Sequence, residues 1–490
     1  MQQQTAIKIW GFVNNILREF AREFNNDKAY QWFVVVVIGL MIRTEHLGVT
    51  SIIRELYIAP SSYESMLLFF RANSWALTKI KIKWMEIVVL CGIIYRESGM
   101  ADLAVMIGDG TKVGKAGEKM PGVKKMKQES EDNTKKKYFF GYLYGALGIL
   151  TGTAEKMFCS PISLSIQDGV SIIREWEDKT YEQASHVTQM IKDACAAVAT
   201  VGSSVLLLDR YYLSVPALLA IKKYLGKDQI LHIVTRAKQN ATAYFKPIAP
   251  SKPTRGAPRK KGKKVKVWDF FNDTQKFTNK TLTIYGKKEN VRYYCIDLLW
   301  GKKLYQELRF VCVCYGDEKA ILVSTNLAFS PEQIIKLYSL RQKIEVSFFG
   351  LKQVIYGFAS HFWSKSTPEL DRYMKKDAVN PLASVTDPRE RKNIIGALKA
   401  TEGFAMFSCI ALGLLQIISL KFHDITNPRS IRWLRTYSNE ISSEATIAHF
   451  MRNSIFSMFQ KLHNLPIMQI IRNKQSANFI ENEAVSDDTA

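Results

Sequence analysis

Leu103-Ala-Val-Met-Ile-Gly-Asp109-Gly-Thr111 and Ser204-Val-Leu-Leu-Leu-Asp209 are two short apolar runs, each leading into an aspartate. Apolar runs of this length, bounded by glycine or charge, read as buried strands. Between them lie two longer strand-like runs, Tyr138–Leu150 and Lys156–Ile166, joined by the turn Thr151-Gly152-Thr153. A helical stretch, Tyr181–Ala199, follows them. Periodicity predicts a mixed α/β unit here and nothing finer. An aspartate after a strand is commonly a turn or cap residue, so neither Asp109 nor Asp209 carries function by itself.

Downstream the chain reads Tyr338-Ser-Leu-Arg341-Gln-Lys-Ile-Glu345-Val-Ser-Phe-Phe-Gly-Leu-Lys352. On an α-helix at about 100° per residue, Tyr338, Arg341, Glu345 and Lys352 share a stripe about 60° wide and roughly 21 Å long. Leu337, Leu340, Ile344, Phe348, Phe349 and Leu351 occupy the other faces and can bury the helix. Ser330 and Pro331 supply an N-cap and a first-turn proline for it. One carboxylate flanked by two cations and a phenol suits an edge that handles metal and phosphate. A solvated face with an ordinary Arg341–Glu345 pair would give the same stripe.

The chain has 490 residues, enough for several domains, and 47% apolar content marks it as globular. A formal charge of +23 points to a polyanionic partner, nucleic acid before membrane surface. The basic residues are clustered. Lys112 to Lys137 holds nine lysines against four acids, and Lys246–Lys266 holds nine Lys or Arg and no acid, interrupted by prolines and glycines. The second run predicts a flexible cationic loop. Seven cysteines at irregular spacing read as reduced, buried thiols of a cytosolic protein. The N-terminus lacks the regions of a signal peptide. Gly403–Leu420 is long and apolar, but its neighbours predict a buried core helix, not a membrane span.

Residues 1–100 read as helices and include a candidate helix-turn-helix, Thr50–Tyr57 and Ser61–Arg71, with Ser61 as N-cap. Residues 101–235 carry both aspartates. Residues 236–325 are β-rich, through Thr281–Tyr285, Arg292–Leu298, Glu307–Cys314 and Lys319–Ser324. Residues 326–425 hold the striped helix and two further helical segments, near Pro368–Lys376 and Asp387–Phe422. Residues 426–490 read as a helical region ending in an acidic tail, Glu481–Ala490.

The Tyr338, Arg341, Glu345, Lys352 spacing resembles the YREK motif of bacterial cut-and-paste transposases, the DDE enzymes of the insertion-sequence-four type. The block from Gly108-Asp109-Gly110-Thr111-Lys112-Val113 through Gly117–Gly122 resembles that family's first-aspartate block. Leu206-Leu207-Leu208-Asp209-Arg210-Tyr211-Tyr212 resembles its second, and Asn326–Glu332 its usual lead into the glutamate helix. Similarity covers roughly residues 100–235 and 320–425. It implies a ribonuclease-H-like catalytic core interrupted by a β-rich insertion subdomain, with a helical N-terminal DNA-binding domain and a helical C-terminal region. In that fold the first and fourth strands lie side by side, so Asp109 and Asp209 would converge.

The resemblance further implies that Asp109, Asp209 and Glu345 are catalytic and hold two Mg2+ ions, with Mn2+ as substitute. Such oxygen-only ligands suit hard cations. Tyr338, Arg341 and Lys352 would hold DNA phosphates at the cut. Lys112, Arg210, Lys260, Lys261, Lys263 and Lys264 are expected to track the backbone, and Trp268 or Trp300 to stack a flipped base. The implied partners are double-stranded DNA, as terminal inverted repeats and as target, and a second copy of the chain. The implied setting is the bacterial cytoplasm, at the nucleoid. Another ribonuclease-H-like nuclease, or a non-catalytic transposase-derived DNA-binding protein, are the rival readings.

Overall fold

A computed structural model describes residues 2–96, 102–128, 137–154, 156–248, 259–284, 287–370, 373, 379–423, 441–477 and 479. The centre of the second cationic run, part of the first, Tyr285, most of Pro368–Lys376 and the acidic tail lie outside them. Five helices open the chain: α1 Gln2–Arg18, α2 Asp27–Ile42, α3 Val49–Glu55, α4 Tyr63–Arg71 and α5 Leu77–Leu90. Asn26 caps α2 by accepting from the Ala29 N–H, and the helix is buried from Trp32 to Ile42. A helix apolar on every side belongs inside a core.

The candidate helix-turn-helix needs correction. Pro60–Ser62 forms a 3-10 turn, α4 begins only at Tyr63, and Ser61 is not its cap. Met66, Phe69 and Phe70 of α4 are buried. The exposed side of α4 carries Tyr63, Glu64, Ser65, Leu68 and Arg71, so it has one cation and one acid to offer a duplex.

A mixed sheet of twelve strands follows. Its strands are β1 Ala104–Gly114, β2 Lys124–Lys127, β3 Tyr138–Gly152, β4 Met157–Ile166, β5 Ser204–Leu208 and β6 Leu231–Ala237. They continue with β7 Thr242–Tyr244, β8 Lys264–Lys266, β9 Thr278–Ile284, β10 Lys287–Trp300, β11 Gln306–Tyr315 and β12 Glu318–Ser324. The order is β2-β3-β1-β5-β6-β12-β11-β10-β7-β8, with β4 on β3 and β9 on β10. Strands β1 and β5 are parallel neighbours, as the resemblance implied. Between β4 and β5 lie α6 Ser171–Glu177, which periodicity does not reveal, and α7 His186–Val201; α8 Val215–Tyr224 precedes β6.

Two expectations change. Strand β1 does not stop at Asp109 but runs on to Gly114, because β3 continues to pair with it as far as Gly114↔Gly141. The β-rich insertion has its own apolar cluster, including Val267, Phe271, Leu298, Leu308 and Phe310. Its strands nevertheless join the main sheet, through β12 on β6.

The chain then forms α9 Pro331–Leu340, α10 Lys343–Phe349 and α11 Pro388–Lys421, and after these Glu444–Lys461 and Pro466–Arg472. Helix α11 is long and apolar enough to cross a membrane, yet 94% of its apolar window is buried inside the protein. Its core includes residues of α1 to α5 and of the sheet in one continuous cluster. Two glycines let tryptophans reach its backbone: a Cβ on Gly403 would stand 2.5 Å from Trp75, and one on Gly413 2.3 Å from Trp84. Trp84 Nε1 donates to the Pro161 carbonyl at 2.9 Å and is held in place. Gly413→Ala is therefore expected to destabilise by about 1–3 kcal/mol in urea unfolding, although alanine is the better helix former. All seven cysteines are free.

Candidate active site

The parallel ladder of β1 and β5 ends at Gly108↔Leu208, so Asp109 and Asp209 are the next residues on neighbouring strands. A Cβ on Gly108 would run into Met190 of α7, so that face of β1 belongs to α7. Side chains alternate along a strand, and Asp109 therefore points to the opposite face. There it meets α9 and α10. The Arg341 Nη1 lies 3.0 Å from Asp109 Oδ2, and its Nη2 lies 2.7 Å from Glu345 Oε1. The other Asp109 oxygen accepts the Gly110 N–H at 2.7 Å. The Asp209 carbonyl accepts from the Thr235 hydroxyl at 2.9 Å and the Tyr212 N–H at 3.0 Å, which fixes the backbone of the second aspartate.

Electrostatics join these groups. Burial pushes the Asp109 carboxyl above the ordinary aspartate range, Arg341 pulls it back, and the Asp209 and Glu345 charges push it up again. Arg341 is partly desolvated, which works against its charge, but Asp109, Tyr338, Asp209 and Glu345 together hold it more firmly protonated than usual. Burial, then the Asp109 and Asp209 charges, raise the Tyr212 phenol. Tyr212 thus joins the site without having stood out as sequence; its position two residues past Arg210 in the second-aspartate block was the available signal.

The striped helix is not a single α-helix. Ser330 caps α9 and Pro331 opens it, as the Ser-Pro signal suggested, and Gln333 completes a capping box with Ser330. At Arg341-Gln342 the chain tightens, with the Arg341 N–H bonded to the Tyr338 carbonyl and the Glu345 N–H to that of Gln342. Past α10 it widens into a π turn, Gly350–Val354, in which the Ile355 N–H reaches the Gly350 carbonyl. Lys352 thus sits on a different helical pitch from Glu345. It is half-buried, burial lowers its pKa, and it makes no ion pair among the described residues.

Two buried cations pin the segment after the π turn. Arg43 donates to the Ile355 and Tyr356 carbonyls, both at 2.8 Å, and Lys115, on the extension of β1, donates to those of Phe358 and Ser360. Burial lowers Arg43 to about 10 and Lys115 to about 8.

The remaining residues of interest fall into three places. Lys112 is on the α7 face of β1 and donates to the Lys127 carbonyl at 3.1 Å, so it does not flank the Asp109 carboxylate. Arg210 is exposed beside Asp209, 5.2 Å from the Tyr211 ring, with Lys238 5.9 Å from the same ring. Arg210, Lys238, Tyr244, Trp300 and Lys302 are among the residues lining a cleft of about 350 Å³ between the core and the insertion. Lys261 stands over Tyr244 at 4.5 Å and Tyr305 at 5.3 Å, while Lys260, Lys263 and Lys264 are exposed nearby in sequence. Trp268 instead packs on Phe271, 4.8 Å between centroids, in the core of the insertion. Of the two tryptophans, only Trp300 lines the cleft that Arg210 shares.

Among the described residues no group of three acidic, histidine or cysteine side chains is closed up enough to hold a metal ion as it stands. The donor set is nonetheless all carboxylate oxygen on one side of the sheet, which is the chemistry Mg2+ or Mn2+ requires. Compared with models of known protein families and with curated proteins, the chain matches none.

Proposed function

We propose that the chain is a DDE transposase with a ribonuclease-H-like core, acting on double-stranded DNA as a dimer in the bacterial cytoplasm. One observation carries this reading: carboxylates from β1 and α10, far apart in sequence, share the guanidinium of Arg341 beside the strand end that bears Asp209. The strand order β4-β3-β1-β5-β6, antiparallel on one side of β1 and parallel on the other, supports the core assignment.

Asp109, Asp209 and Glu345 would hold two divalent ions, which when bound activate the attacking hydroxyl and offset charge on the leaving oxygen. Arg341, Arg210 and Lys352 bind phosphates flanking the scissile bond, Arg341 through its planar fork. Tyr338 donates its hydroxyl to a phosphate oxygen. Trp300 offers a face on which an unpaired base can stack, worth about 1–3 kcal/mol. The products are a free 3′-hydroxyl, a hairpin-processed end and then an inserted end. The non-catalytic rival predicts equal DNA binding with no cutting.

The test is incubation with a plasmid carrying the DNA that flanks the reading frame, with Mg2+ and with EDTA. Metal-dependent cuts at the ends of inverted repeats are expected; absence of cutting in both would remove the transposase reading. Binding should also weaken with salt. Replacing Lys260, Lys261, Lys263 and Lys264 by Gln should reduce the slope of log affinity against log salt by about 0.9 for each phosphate no longer neutralised, read by fluorescence anisotropy.

A further inference from the structure

Arg341 touches both Asp109 and Glu345, at 3.0 and 2.7 Å, and no other cation among the described residues does. Its side chain is only 18% exposed, so it cannot leave for bulk water without first breaking two charge-assisted hydrogen bonds. A divalent ion shared by those carboxylates would have to approach the oxygens that the guanidinium now occupies, against its positive charge. The same fork fits a phosphodiester as well as it fits a carboxylate. Arg341 also stands at the joint between α9 and α10, where its own N–H bonds to Tyr338 and the helix changes pitch.

We infer that Arg341 serves two anions in turn: it straps Asp109 to Glu345 before DNA arrives, then passes to a DNA phosphate and releases both carboxylates to a divalent ion. This rests on the transposase reading above. Arg341 is then a positioning residue as well as a phosphate contact, and DNA and metal bind with positive coupling. Reciprocity requires that metal tighten DNA binding by the same factor. The strap also keeps the free protein from assembling a loaded metal site away from DNA.

The experiment measures Mn2+ affinity directly, by electron paramagnetic resonance titration, with and without a duplex taken from the DNA flanking the reading frame. Wild type should bind Mn2+ at least roughly tenfold more tightly with the duplex. Arg341→Gln should bind Mn2+ roughly tenfold more tightly than wild type without DNA and gain much less from the duplex. Arg341→Lys, which can reach one carboxylate at a time, should fall between them. Thermal melting gives a second readout: R341Q leaves two carboxylates unrelieved, so Mn2+ alone should raise its Tm more than that of wild type. The proposal is overturned if R341Q binds Mn2+ no tighter than wild type without DNA, or if the duplex leaves wild-type Mn2+ affinity unchanged. Asp209→Asn separates the two levels. If it leaves Mn2+ affinity intact in every state, the carboxylates do not hold the metal and the transposase reading itself fails.

Discussion

Asp109→Asn, Asp209→Asn and Glu345→Gln are each expected to lower metal-dependent strand cleavage by at least about a thousandfold, roughly 4 kcal/mol of barrier. Each removes one anionic oxygen donor from the proposed hard-cation site while keeping the size and shape of the side chain. Duplex binding should persist, because these residues carry charge of the wrong sign to grip phosphate; without metal, Asp109→Asn and Glu345→Gln should bind duplex no more weakly than wild type, since each frees Arg341 from one carboxylate. The fold should survive. Burial raises the Asp109 carboxyl, so its charged form is disfavoured in the folded chain. Its contribution is fully present below the ordinary aspartate range and is lost as pH rises through the raised value. At neutral pH, Asp109→Asn should therefore melt no lower than wild type, measured without metal. A thousandfold loss of cleavage with an unchanged melt would identify a chemical role; a loss of both would point to a structural one.

Glu402→Leu should be the most damaging single change to stability, by about 3–5 kcal/mol in urea unfolding. The Glu402 side chain is 1% exposed and meets Arg174, itself 25% exposed. It accepts from Arg174 Nη2 at 2.6 Å and from the Ile166 N–H at 2.8 Å. It thus ties α11 to α6 and to the end of β4. Removing the carboxylate leaves the Ile166 N–H without its partner and leaves the mostly buried Arg174 guanidinium with Glu177 alone, whereas the pair as it stands is only modestly stabilising. The Glu402→Leu, Arg174→Leu double variant should recover much of the loss, because both desolvated charges are then gone. A double variant as unstable as the two single losses combined would show that the residues act independently.

Much of this was legible in the sequence, and the misses have physical causes. Apolar runs located β1, β3, β4 and β5, and Ser330-Pro331 located the start of α9, since capping is a local signal. Where β1 ends was not local: Gly114 belongs to the strand because Gly141 lies opposite it. Ideal helical geometry puts Lys352 on the stripe of Glu345, but the chain widens into a π turn at Gly350, where it packs closely on Leu412 of the distant α11. Alternation along β1 could have removed Lys112 from beside Asp109, had the strand been extended past the aspartate. The Arg341 bridge to Asp109 could not be read at all, because spacing along one helix says nothing about which strand it faces. Trp268 and Trp300 look equivalent as sequence and both pack half-buried against the insertion's apolar cluster; they separate only in that Trp300 lines the cleft shared with Arg210.

The hydrogen-bonded union of β12 with β6 has a mechanical consequence. An insertion tethered by loops could swing, and the spacing between Trp300 and Asp209 would drift with it. One that shares backbone bonds with β6, the neighbour of the strand that leads into Asp209, behaves as a ruler. In the proposed DNA complex, whatever nucleotide lodged beside Trp300, the bond presented to Asp209 would stand a fixed number of positions away.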